Sequence, residues 1–209
     1  YFGDLGYKHD ENEKNWNKFE SILKTFKKIV RQGKVRFIGL SNETPWGSSR
    51  FLQIANEQKL PRIVSVQNPY SLVNRSYEIG MSEISIREKA GLLAYSPLAA
   101  GYLTGKYRNN QIPKNSRMDL FYDRYPRYHN NRTYRAVDEY FNIAKKYKMT
   151  LTQLSQAFVN SRDFVTSNII GATTMKQLKE NIESVDISLN QNIISEINSV
   201  HENFPNSAP

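Results

Sequence analysis

Apolar residues fall at Trp16, Phe19, Ile22, Leu23, Phe26, Ile29 and Val30, a three-and-four spacing that lays one stripe along a helix. Gly33 ends that helix. Residues 35–40 are apolar or β-branched at nearly every position, as in a strand buried on both faces, and polar Ser41 and Asn42 follow at its C-terminal end. Pro45 suits the first turn of a helix over about residues 46–58. The unit then repeats: a strand over 63–66 ending in Gln67 and Asn68, a helix near 77–89, and a strand over 92–95 ending in Ser96 and Pro97. Residues 108–130 read as a long irregular stretch, of a length usually kept for lids and functional loops. Helices near 133–147 and 151–161 come next, followed by a strand over 165–170 and the turn Gly171-Ala172-Thr173-Thr174. A helix over 175–184 and a last one around 190–203 close the chain. The pattern predicts four short strands, each buried and each followed by helix.

Alternation of strand and helix implies a parallel sheet with right-handed crossovers. An open dinucleotide-binding sheet would carry G-x-G-x-x-G after a strand, and none is present. A barrel places its chemistry at the C-terminal ends of its strands, where polar Ser41-Asn42, Gln67-Asn68, Tyr95-Ser96 and Gly171 to Thr174 stand here. Four strands cannot close an eight-stranded barrel, so half of one is the expected architecture.

Composition narrows the function. With 209 residues, 39% apolar and 23% charged, the chain can build one domain with a sizeable core. No stretch approaches the ~20 apolar residues of a bilayer span, so no membrane partner is expected. Zero cysteines exclude a disulfide scaffold, thiolate metal sites and a cysteine nucleophile, and cytoplasm is the default compartment. The formal charge of +9 is scattered: Lys27-Lys28, Lys145-Lys146 and the arginines from 124 to 132 never reach five or six consecutive like charges. Solvated helix faces account for them, and no nucleic-acid partner is expected. His9, His129 and His201 lack metal-ligand spacing. The chain opens on Tyr1 within a polar, Gly-containing stretch that reads as a loop, so a piece of a longer protein is expected.

Four stretches together resemble the aldo-keto reductase family, and within it the Tas-like branch, which is similar also to voltage-gated potassium channel β subunits. They are Gly33-Lys34-Val35-Arg36-Phe37-Ile38-Gly39-Leu40-Ser41-Asn42, Val66-Gln67-Asn68-Pro69-Tyr70-Ser71, Ala94-Tyr95-Ser96-Pro97-Leu98 with Gly101 and Thr104-Gly105-Lys106-Tyr107, and Gly171-Ala172-Thr173-Thr174 with Gln177-Leu178 and Glu180-Asn181. They occur in family order, and the likeness runs from about Lys24 to the C-terminus. The resemblance implies a (β/α)8 TIM barrel of which this chain carries strands five to eight with their helices. It also implies an NADP-dependent oxidoreductase that reduces a small-molecule aldehyde or ketone by hydride transfer. The alternative is a nucleotide-binding regulatory subunit of the channel β type.

The resemblance assigns Ser41, Asn42 and Gln67 to the nicotinamide carboxamide, groups able to donate and accept there. Ser41 could instead cap the next helix, and Gln67 could be a turn residue. Tyr95 matches the ring on which the nicotinamide stacks, against the alternative of a core tyrosine. Ser96, Leu98, Gly101, Thr104 and Lys106 match the loop along the pyrophosphate, where glycine would permit close approach. Arg117 matches an arginine near the 2′-phosphate, suited by its planar fork. Gly171, Thr173, Gln177, Glu180 and Asn181 match the adenosine end, and residues 173, 177, 180 and 181 have the spacing of one helix face. Thr174 stands where many relatives have arginine, which leaves the choice of NADP over NAD more to Arg117. The family's catalytic tyrosine, lysine, aspartate and histidine map onto no residue of this chain. The expectation is therefore an inactive C-terminal half, lacking its N-terminal half, with two uncovered strand edges that favour self-association.

Overall fold

The computed structural model of the chain describes residues 18–209. Trp16 and His9 lie outside the described residues. The chain divides into two compact units: residues 18–68 with 78–93, and residues 69–77 with 94–209.

The first unit begins with helix α1 (Phe19–Arg31), whose Leu23 is fully buried while Phe19 and Phe26 pack beside it on the same stripe. Gly33 takes φ +71° directly after the helix and returns its N–H to Val30 O at 2.9 Å. That left-handed step is the one glycine makes without cost. Strand β1 (Ile38–Ser41) and helix α2 (Pro45–Glu57) follow. Thr44, not Ser41, caps α2: its side chain accepts from Gly47 N–H at 3.1 Å, with Pro45 in the first turn. Strand β2 (Ile63–Pro69) and helix α3 (Met81–Glu88) complete the unit, after a single 3-10 turn over Ser76–Glu78 where a longer helix was expected. Ile38, Phe51, Leu52, Ile54, Ala55 and Ile63 close its core around Leu23.

Strand β1 is shorter than the apolar run from 35 to 40 predicts. Its first pair is Ile38 with Ile63, and two residues before Ile63 stands Pro61, which has no N–H to give a ladder. The β1–β2 ladder is parallel, with an irregularity between Ile38 and Gly39. A Cβ on Gly39 would stand 2.6 Å from Ser65 Oγ and 3.1 Å from Ser65 O, so the close approach of the two backbones requires glycine.

Strand β3 (Gly91–Tyr95) belongs to the first unit up to Leu93 and to the second from Ala94. In the second unit the expected irregular stretch proves to be a chain of short helical turns, among them helix α4 (Arg117–Phe121) and 3-10 turns over Tyr122–Arg124 and Pro126–Tyr128. Helix α5 (Asn131–Lys146) is capped by Asn130, and helix α6 (Leu151–Asn160) by a capping box of Thr150 and Gln153. Strand β4 (Val165–Asn168), helix α7 (Met175–Glu183) and helix α8 (Gln191–Asn203) follow. Fully buried Tyr140 donates its hydroxyl to Leu72 O at 3.0 Å, and Thr133 donates to Ser207 O at 2.8 Å, which ties the C-terminal residues to α5.

Hydrogen bonding orders the strands β1-β2-β3-β4 in one four-stranded parallel sheet. The expectation that every strand is buried does not hold. Gly39 and Ser41 of β1 and Thr166 and Ser167 of β4 are exposed, because among the described residues the outer strands of that order have a neighbour on one side only.

Candidate cofactor site

In the first unit, Ser41 is paired with Gln67 in the β1–β2 register, and Asn42 N–H donates to Gln67 O at 3.0 Å. The three residues are thus brought together at the C-terminal ends of two adjacent strands, and all three are exposed. Gln67 sits within β2 and not in a turn. Asn42 adopts φ +54°, a left-handed step that asparagine tolerates and that ends the ladder. Asn68, next to Gln67, was read from the sequence as a polar strand end but was given no role. Asn68 is buried, donates to Glu43 O at 3.3 Å, and has an Oδ1 with no partner among the described residues. A pair of strand-end amides with one hydroxyl can give and take hydrogen bonds from a carboxamide.

The second unit holds the other candidates. Tyr95 at the end of β3 is half-buried; its backbone carbonyl accepts from Tyr70 N–H at 3.2 Å. Burial pushes its phenol above the usual tyrosine range, with the Arg127 guanidinium opposing. After it the chain turns tightly: Ser96, Ala99, Ala100 and Gly101 all have φ between +48° and +104°. Ala99 N–H reaches Ser96 O at 2.9 Å and Gly101 N–H reaches Leu98 O at 2.8 Å, closing successive turns. Gly101 has a reason nearer than a ligand. A Cβ there would meet Lys106 Cε at 3.0 Å and Tyr107 Cε2 at 3.1 Å, so the space is taken by the loop's own side chains. Thr104 donates to Gly101 O at 2.8 Å and accepts from Lys106 N–H at 3.4 Å, which fixes where Lys106 leaves the loop.

Lys106 and Arg117 lie against aromatic rings, with Lys106 Nζ 5.1 Å from the Tyr107 centroid and the Arg117 guanidinium 5.9 Å from that of Tyr125. Neither forms an ion pair among the described residues. Arg117 opens α4 behind its cap Ser116, whose hydroxyl accepts from Asp119 N–H at 3.4 Å.

The residues that the resemblance assigns to the adenosine end divide in a way the helical spacing did not predict. Thr173 precedes the cap of α7, which is Thr174, so Thr174 has a structural task of its own. Thr173 N–H and hydroxyl both reach Gln177 Oε1, at 2.9 and 3.0 Å. Glu180 accepts the Thr150 hydroxyl at 2.6 Å. Asn181 is buried: it accepts from Gln156 at 3.3 Å and donates to Gly171 O at 3.3 Å. Thr173, Gln177 and Gly171 are exposed, whereas Asn181 is turned into the core.

One residue that the sequence did not flag adjoins Tyr95 and Ser96. Tyr128 is buried and stacked 5.5 Å from Tyr102, and burial raises its phenol with Arg127 opposing. No local signal marks it, since 32 residues separate Ser96 from Tyr128 and only tertiary folding brings them together. Among the described residues no three His, Asp or Glu side chains are grouped as metal ligands would be.

The sequence matches a known family over most of its length: the model of the aldo/keto reductase family covers residues 4–202. The chain belongs to the aldo/keto reductase family. Protein tas of Escherichia coli (strain K12) is 44% identical over 208 residues, covering 100% of this chain and 60% of its own length. An aldo-keto reductase of Babesia bovis is 39% identical, covering 87% of this chain and 66% of its own. L-glyceraldehyde 3-phosphate reductase of E. coli is 28% identical, covering 88% and 53%. The chain therefore spans roughly half to two thirds of the length of these curated relatives. Aldo/keto reductases are (β/α)8 barrels that use NAD(P)H, and the four strands described here correspond to half of such a barrel. No helix among the described residues is long and apolar enough to cross a membrane.

Proposed function

We propose that this aldo/keto reductase is a cytoplasmic NADPH-dependent enzyme that reduces a small aldehyde or ketone by direct hydride transfer, and that residues 1–209 carry its cofactor-binding part. The observation that carries this reading is the register that sets Ser41, Asn42 and Gln67 side by side at two strand ends, the place where barrels keep their sites. These three hold the carboxamide, and the half-exposed Tyr95 offers a ring face to the nicotinamide, worth ~0.5 to 1.5 kcal/mol beyond burial. The turns through Ser96, Leu98, Gly101 and Thr104 shape the pyrophosphate loop. Thr173, Gln177 and Glu180 meet the adenosine, while Asn181 acts through the Gly171 carbonyl that it anchors.

The residues fit the phosphorylated form of the cofactor. Lys106 and Arg117 have aromatic neighbours but no carboxylate in ion-pair reach among the described residues, so their charge is uncompensated and available to a 2′-phosphate. When bound, NADPH supplies the hydride. Charge builds on the carbonyl oxygen as the hydride arrives and needs a positioned acid, and none of the described residues is assigned that task.

The test is a fluorescence titration of the chain with NADPH and NADH. Arg117→Ala should weaken NADPH by about 1.5 to 3 kcal/mol, roughly 10- to 150-fold, and leave NADH unchanged. Equal losses for both nucleotides would remove Arg117 from the phosphate site, and absence of binding by the parent chain would overturn the assignment of the cofactor residues.

A further inference from the structure

A cavity of about 420 Å³ lies in the second unit, between the loop from Tyr107 to Tyr122 and helix α5. None of the candidate cofactor residues lines it. Its size falls in the ~300 to 1,000 Å³ range of small-molecule pockets. Four tyrosines, Tyr102, Tyr107, Tyr122 and Tyr134, supply the walls. The Tyr102 ring lies 6.1 Å from that of Tyr134 and 5.0 Å from that of Tyr107, so the aromatic walls pack on one another. Met118 and Val137 add apolar surface, while Asn109, Asn110 and Gln111 place three amides along one part of the lining. Asn109 and Asn110 both adopt left-handed backbone, φ +56° and +58°, a conformation that asparagine tolerates. The charged groups in the lining cancel: Arg108 Nε donates to Asp138 Oδ1 at 2.5 Å, and the guanidinium lies 3.6 Å from the centre of the Phe141 ring.

We propose that this cavity binds an uncharged cyclic sugar. Amides and phenols each donate and accept, which is what a ring bearing hydroxyls needs on its rim. Aromatic faces suit the C–H faces of the same ring, because a tyrosine combines an apolar body with a polar tip. A hydrocarbon ring would cover the amides without pairing them, at a cost for each. An anion would compete with Asp138 for a guanidinium that is already paired and capped by Phe141. The site is independent of the proposed cofactor residues and takes a closed ring, with no reacting carbonyl.

Saturation-transfer NMR on the whole 209-residue chain tests this, with methyl α-D-glucopyranoside, maltose, benzoate and glucose 6-phosphate as probes. The methyl glycoside cannot open to an aldehyde, so its binding does not report on a carbonyl-reducing site. Transfer should appear to the glycoside and maltose, strongest at ring C–H protons, with millimolar dissociation constants. Gln111→Ala and the more exposed Tyr122→Ala should each weaken it by about fivefold, as loss of one neutral contact implies, with unchanged circular dichroism. Binding of benzoate or the sugar phosphate in preference to the glycosides would overturn the proposal. So would absence of glycoside transfer, or affinity unchanged in both variants.

Discussion

Replacing Asn181 by alanine separates two roles for a residue that family likeness assigns to the cofactor and packing assigns to the core. Gln156, fully buried on α6, donates its Nε2 to Asn181 Oδ1 at 3.3 Å and accepts from Asn168 Nδ2 at 2.7 Å. Asn168 donates also to Asn160 Oδ1 at 2.9 Å, so the amide chain links α6, β4 and α7. Asn181→Ala removes two hydrogen bonds of about 1 kcal/mol each and leaves the Gln156 donor buried without a partner, itself a penalty of about 1 to 3 kcal/mol. Both lost contacts are long at 3.3 Å, which places the total near the lower end, about 2 to 3 kcal/mol. For a chain of this size that is a fall in melting temperature of roughly 4 to 12 °C. Urea unfolding and thermal melts followed by circular dichroism read the loss directly. Gln177→Ala on the exposed side of the same helix should melt like the parent. An Asn181→Ala protein with parental stability but weakened NADPH binding would refute the reasoning and make Asn181 a ligand group.

Thr150 both closes the capping box of α6 and donates to Glu180, so Thr150→Ala should cost about 1 to 2 kcal/mol in a urea titration, and Thr150→Ser should restore most of it. Burial holds the His129 imidazole below its usual range, with Asp123 opposing. A depressed histidine value means that the unfolded chain takes up its proton first as pH falls. The contribution is therefore complete above about pH 6.5 and lost as pH falls through the folded value. Melting temperatures measured from neutral to mildly acidic pH should fall less steeply in His129→Gln than in the parent, and identical slopes would refute the assignment.

Sequence periodicity determined the order and type of the elements, and Pro45 marked the start of α2. The caps Thr44, Asn130 and Thr150 of α2, α5 and α6 came from the structure, although each is set by groups within a few residues of one another. The polar strand ends at Ser41, Asn42 and Gln67 were legible, since such local groups can be read along the chain. Their adjacency was not, because it depends on a register between strands 22 or more residues apart, with the irregularity at Gly39 and the start forced by Pro61. Helical spacing grouped Gln177, Glu180 and Asn181, yet tertiary packing decided that Gln177 faces outward while Asn181 meets Gln156. Phe37, apolar and placed in an apolar run, ends 68% exposed outside the ladder, and Tyr128, one tyrosine in a segment read as irregular, ends buried against Ser96. A side chain's period fixes the face on which it lies, but the burial of that face depends on which distant segment covers it, and that is decided only when the chain folds.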